Sequence, residues 1–239
     1  GKDRKDTGML VKVFLETFKN MKKKPGLIMK TSGATFSVLD RELMLDKIKA
    51  VKDTIEGDLP NIYLLHGDFE DTEMNDLYNH PKVKAHINLT HGEGFGRPLL
   101  EASISQKPVI ASNWSGHIDF LHKDLAILLP GSLQNVERGS VPDDFMVDGS
   151  QWFTVNYQQT SATMKDVYKK YKKYTLNAKK LGVINKSKFS LDAMTRELGK
   201  ILDKYVPEFP KEVELKLPKL KKVGDTTPSK ITLPKLKKV

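Results

Sequence analysis

Glu93-Gly94-Phe95-Gly96-Arg97-Pro98-Leu99-Leu100-Glu101 is the stretch that decides how this chain folds. Two glutamates bracket a glycine-rich loop that runs into an apolar segment. Upstream, Val83-Lys84-Ala85-His86-Ile87-Asn88-Leu89-Thr90 has the pattern of a buried strand, so the order is strand, glycine turn, helix. That geometry leaves free backbone amides at a helix N-terminus, where an anion binds well. Pro98 suits a first helical turn, because its missing N–H has no helical partner to lose. Glu101 is expected within that turn and Glu93 at the carboxyl end of the strand. Two carboxylates would then flank one anion pocket, a layout suited to a negatively charged ligand rich in hydroxyls.

Helix and strand alternate along the chain. A helix from Gly8 to Lys23 is followed by strand Leu27-Ile28-Met29-Lys30, a helix over about 40 to 54 and strand Asn61-Ile62-Tyr63-Leu64-Leu65. A short helix near 72 to 79 leads to the strand before the glycine turn, and Pro108-Val109-Ile110-Ala111 and Ala126-Ile127-Leu128-Leu129 are further strands. Short apolar strands separated by helices predict a parallel sheet covered on both faces. Ligands of such sheets bind beyond the carboxyl ends of the strands. The segments at 66–69, 90–93 and 112–115 fall at such ends, so three loops converge on one rim. Residues 131–151 read as a long loop, functional or a surface excursion, before a short strand Gln151-Trp152-Phe153-Thr154-Val155. The pattern over 161–180 predicts a helix ending at Gly182, and a last helix runs from Ser190, its expected cap, to about Tyr205.

The ten residues Glu93 to Ala102, with both glutamates, two glycines and the proline in register, resemble the signature of retaining GT-B glycosyltransferases of the glycosyl transferases group 1 family. Pro108-Val109-Ile110-Ala111, Asn113-Trp114-Ser115-Gly116-His117 and Lys188-Phe189-Ser190 resemble that group too, as does Arg4-Lys5-Asp6 before the opening helix. The resemblance covers roughly residues 1 to 206. It implies an α/β fold, a Rossmann-like parallel sheet with helices on both faces, forming the C-terminal, donor-binding half of a GT-B enzyme. A chain of 239 residues is too short for both halves, so it reads as a fragment whose acceptor domain precedes it.

The resemblance also assigns roles. Lys5 is the candidate cation for the donor's diphosphate and Lys30 a further one. Glu93 would hold hydroxyls of the transferred sugar and Glu101 those of the ribose. Phe95, Gly96, Arg97 and Leu99 would complete the donor contacts, with Gly96 allowing close backbone approach. Gly67 and Phe69 match the loop around the base. The implied ligand is a nucleoside diphosphate sugar, the acceptor is unidentified, and no enzyme nucleophile is assigned. His91 and His117 are tempting as acid or base, but a lone histidine is more often a structural hydrogen-bonder. No cofactor or metal is expected: the chain has no Asp-x-Asp and no histidine pair at zinc-protease spacing.

The chain has no cysteine, which excludes disulfides and favours a reducing, cytoplasmic compartment. No apolar run reaches the roughly 18 residues of a membrane span. Net charge is +10, but residues 211–239 hold nine lysines against three acids, so the folded part is only mildly basic and nucleic-acid binding is disfavoured. Within that tail, assigned to 207–239, Leu217-Pro218-Lys219-Leu220-Lys221-Lys222-Val223 recurs unchanged as Leu233 to Val239. With too little apolar surface for a core, it is expected to be extended. It suits a doubled protein-docking motif, a basic strip for an anionic membrane, or a duplicated linker. The runner-up function is therefore a non-catalytic sugar-nucleotide-binding or scaffold module recruited through this tail.

Overall fold

A computed structural model describes residues 3–31, 35–140 and 146–207. Among the described residues the strands are β1 (Leu27–Lys30), β2 (Ile62–Leu65), β3 (His86–Asn88), β4 (Val109–Ser112), β5 (Ile127–Leu129), β6 (Gly131–Asn135) and β7 (Gln151–Val155). The α-helices among the described residues are α1 (Thr7–Phe18), α2 (Val38–Lys52), α3 (Asp71–Asn79), α4 (Arg97–Ile104), α5 (Tyr157–Lys169), α6 (Tyr171–Lys188) and α7 (Leu191–Tyr205). The chain divides into two compact units, Gly1–Glu197 and Leu198–Val239. In the second, the described residues are 198–207, the end of α7 and its exit, so the repeated heptapeptide lies outside the described residues.

The fold is α/β with parallel strands, as the alternating pattern predicts. β1 pairs with β2, and β3, β4 and β5 run side by side in that order, all in parallel. Strand periodicity explains the two covered faces. Val109 and Ala111 of β4 pack with Leu99, Leu100 and Ala102 of α4 and Leu181 of α6. Ile110, pointing the other way, packs with Leu89, Leu129 and Val167 of α5. α1 closes over β1 with Val11, Phe14, Leu15 and Phe18 against Leu27 and Met29, and Ile87 of β3 joins the same cluster.

Several expectations are corrected. The strand before the glycine turn is only three residues long, because Asn88 Oδ1 accepts from the Thr90 amide at 2.9 Å and diverts the backbone. α1 stops at Phe18, where Lys19 is extended and Asn20 left-handed at φ 58°. The supposed long loop begins as a strand, β6, in an antiparallel hairpin with β7. Its residues Gly-Ser-Leu-Gln-Asn are all exposed, so they show no buried alternation, and a Cβ on Gly131 would lie 2.1 Å from the Thr154 carbonyl oxygen. Residues 157–188 form two helices rather than one, broken at Lys170. Gly182 ends neither: it is buried inside α6, where a Cβ would meet Ser103 O at 2.8 Å. Ser190 does cap α7, accepting from the Ala193 amide at 3.2 Å.

Candidate functional site

The site begins with a main-chain staple. The Arg4 carbonyl accepts from the His91 amide at 2.9 Å and from Thr90 Oγ1 at 3.2 Å, so the segment before α1 lies along the loop after β3. Asp6, fully buried and left-handed at φ 51°, anchors the other side by accepting from the Tyr157 hydroxyl at 2.7 Å. Held this way, Lys5 Nζ donates to Glu93 Oε1, and Arg4 Nη1 donates to the Gly92 carbonyl and to Glu93 Oε2, the latter at 3.3 Å. The Glu93 side chain is only 9% exposed, whereas those of Arg4 and Lys5 are 56% and 43% exposed. Burial raises the Glu93 carboxyl, but the Lys5 ammonium and then Arg4 outweigh it and hold the group below the ordinary carboxylate range.

A second loop grips Glu93 from the far side. Its amide donates to Ser115 Oγ at 2.8 Å, and its carbonyl accepts from the Gly116 amide at 3.0 Å. The loops touch backbone to backbone, since a Cβ on Gly116 would fall 1.9 Å from Gly94 O.

From there the chain turns into α4. Gly96, at φ 84°, has the left-handed backbone that glycine adopts without strain, and it sits over His117. The amides of Gly94, Phe95, Gly96 and Arg97 have no acceptor among the described residues, and they stand at the positive end of α4, where an anion corner is expected from the sequence. Phe95 turns its ring onto Phe120 and Phe189, with centroids 5.3 and 6.1 Å away, and stays 46% exposed.

Glu101 lies beyond the first turn of α4, not within it as expected, and Oε1 accepts from Arg97 Nε at 2.7 Å. Arg97 also reaches Asp71 at the start of α3, at 3.7 Å. Burial, then the Glu101 carboxylate, push the Tyr78 phenol well above its ordinary value. Leu99 departs from its assigned role: its side chain is wholly buried in the core, and its amide donates to the Gly96 carbonyl. It shapes the helix start and offers a ligand no group.

Lys30, Gly67 and Phe69 form a neighbourhood of their own at the ends of β1 and β2. Lys30 Nζ donates to Gly67 O at 2.8 Å and stands 4.8 Å from the Phe69 ring centroid. Gly67 is at φ 141°, which favours glycine there. The two tempting histidines are both buried and held by main-chain carbonyls. His91, buried and stacked on Trp152 at 3.9 Å, has Nδ1 2.7 Å from the Phe153 carbonyl. His117 is wholly buried, with Nε2 2.6 Å from the Ser112 carbonyl.

Sequence reasoning singled out neither Arg4 nor Ser115. Arg4 stands beside Lys5 in the quoted pair, so its signal was present. Ser115 stood in the quoted segment 113–117, but its contact with Glu93 depends on an unusual backbone that the sequence does not show. Among the described residues, no group of three or more histidine, aspartate or glutamate side chains gathers as metal ligands would.

The parallel sheet, the glycine turn into α4 and the helices on both faces define the class of fold: this is the Rossmann-like half of a GT-B glycosyltransferase fold. No family model and no curated protein matches the chain. Among solved structures, it is similar to HepE from Anabaena in complex with UDP and glucose, at 12% identity and a TM-score of 0.58 over 84% of this chain and 45% of that one. A glycosyltransferase from Rickettsia africae aligns at 17% identity and a TM-score of 0.56, over 84% and 45% of the two chains. The C-terminal domain of LpcC, a glycosyl transferase group 1 family protein from Francisella tularensis, aligns at 18% identity and a TM-score of 0.53, over 78% and 82%. The chain thus spans less than half the length of the first two, and the likeness is one of fold.

Proposed function

We propose that this chain is the donor-binding half of a retaining glycosyltransferase that moves a hexosyl group from a nucleoside diphosphate sugar to an acceptor. The observation carrying this reading is the placement of Glu93, with Arg4 and Lys5 upon it, beside the unpartnered amides at the start of α4.

Transfer breaks the bond between the anomeric carbon and the diphosphate oxygen, which keeps the electron pair. The acceptor hydroxyl oxygen bonds to that carbon on the same face, and its proton passes to the departing diphosphate. Negative charge therefore grows on the phosphate as the sugar becomes oxocarbenium-like, and preorganised donors there lower the barrier. Arg4, Lys5 and the amides of 94–97 supply them, so the reading requires no metal. Glu93, once the diphosphate draws on its cations, takes sugar hydroxyls. Glu101 accepts from the ribose, Gly67 and Phe69 border the base, and Lys30 beside them is a further cation for the diphosphate. Carboxylates of a glycosidase flank one scissile bond; here each is tied to different partners, which supports binding roles. The compartment is the cytoplasm, which a cysteine-free chain favours. HepE, crystallised with UDP and glucose, supports the ligand class.

Isothermal titration of UDP, GDP and ADP against their nucleosides tests this reading. A diphosphate is expected to bind far more tightly than its nucleoside, and equal affinities would show that the amides of 94–97 hold no phosphate.

A further inference from the structure

Ser115 has φ 75° and ψ −162°, a backbone conformation that is essentially confined to glycine. A serine there can make a contact that glycine cannot. That contact is visible: Ser115 Oγ accepts from the Glu93 amide at 2.8 Å, while the next residue, Gly116, donates its amide to the Glu93 carbonyl at 3.0 Å. One dipeptide thus holds both polar groups of the Glu93 peptide backbone. The fit leaves no slack, since any Cβ at 116 would collide with Gly94 O. A Cβ at Gly92 would lie 3.8 Å from Ser115 Oγ, so the serine borders the loop on both sides of the glutamate.

We infer that Ser115 is a positioning residue that sets where the Glu93 carboxylate stands, and thereby makes the site favour a sugar-bearing nucleotide over the bare nucleoside diphosphate. The inference rests on the donor-site reading above. With the Glu93 main chain clamped, its carboxylate moves only through side-chain rotamers, and Arg4 and Lys5 limit those. Hydrogen bonds to sugar hydroxyls demand such placement. The phosphate contacts do not, because they come from amides of residues 94–97 and from Arg4 and Lys5, none of which bonds to Ser115.

Two variants separate positioning from stability. Ser115→Gly loses the hydroxyl and relieves the strain; Ser115→Ala loses the hydroxyl and keeps it. Titrate each, and the unaltered chain, with UDP, UDP-glucose, GDP and GDP-mannose, and record melting temperatures. Both variants are expected to bind the tighter sugar nucleotide roughly tenfold more weakly, with affinity for its parent diphosphate changed by less than about twofold, and Ser115→Gly should melt no lower than the unaltered chain. If diphosphate and sugar nucleotide weaken equally, or neither changes, Ser115 does not set the sugar preference and the inference fails alone. If the unaltered chain binds none of the four, the donor reading falls and the inference falls with it.

Discussion

The Lys5 ammonium closes on the Glu93 carboxylate across 88 positions of sequence, and Arg4 occupies the second carboxylate oxygen. In the free protein these two cations are therefore partly neutralised by the residue proposed to hold the sugar. On the proposed reading, a diphosphate would draw on those cations and in doing so release Glu93 for hydroxyls. Such an exchange would couple the two ends of a nucleotide sugar.

Glu93→Gln removes the competing charge. The variant is expected to bind nucleoside diphosphate as well as the unaltered chain or up to about tenfold better at low salt, with the gain shrinking as ionic strength rises. Its preference for the sugar nucleotide should be lost. Titration calorimetry at two salt concentrations reads both effects, and a weaker diphosphate complex would count against the exchange.

Glu101→Gln should weaken binding of a nucleoside diphosphate by roughly tenfold, because a charge-assisted hydrogen bond to ribose contributes about 1.5 to 3 kcal/mol. Binding of inorganic pyrophosphate, which has no ribose, should hardly move. Comparable losses for both ligands would place Glu101 in support of Arg97 instead, whose guanidinium it accepts from at 2.7 Å.

His86 makes the fold sensitive to mild acid. Burial, and then the nearby Lys5 charge, lower its folded value from 6.5 to about 4. Between those values the unfolded chain holds the extra proton. The contribution of His86 is whole above pH 6.5 and declines as the pH falls toward 4, by at most about 3 kcal/mol. Urea unfolding of His86→Leu should show a flatter pH dependence between pH 7 and 5 than the unaltered chain; parallel curves would refute the assignment.

Glycine to alanine should act with opposite signs at two helical sites. In α6, a Cβ at Gly182 would meet Ser103 O and Gln106 Cγ, each at 2.8 Å. Overpacking of about 1 to 3 kcal/mol then outweighs a helix-propensity gain of about 1 kcal/mol, and Gly182→Ala should be less stable. In α7, Gly199 has nothing within 4 Å, and Gly199→Ala should be more stable by up to about 1 kcal/mol. Chemical denaturation of the pair decides.

Deleting 211–239, with its nine lysines and both copies of the heptapeptide, should leave melting temperature and nucleotide affinity nearly unchanged. Each copy offers too little apolar area to offset the ordering of its chain. Removing one copy should cut binding to anionic vesicles by much more than half, as two weak sites acting together require. A fall of many degrees on truncation would show instead that the tail packs on the domain.

Local chemistry made part of this legible in the sequence. Alternating apolar strands and helices announced parallel pairing, and Gly94, Gly96 and Pro98 announced a loop entering a helix, because backbone freedom and a missing N–H act within a few residues. Other features needed the assembled chain. Gly131 and Gly182 look like breaks in sequence, yet each marks a close approach of two backbones, which is defined only once both segments are placed. Leu99 lies in the candidate motif but faces the core, since the face of α4 that is buried depends on β4 and α6. Arg4 and Lys5 meet Glu93, and Ser115 meets its amide, through loops from three separate segments. Side-chain identity determines which groups are available to a site; the distances that make them act together arise only when the sheet brings those loops to one edge.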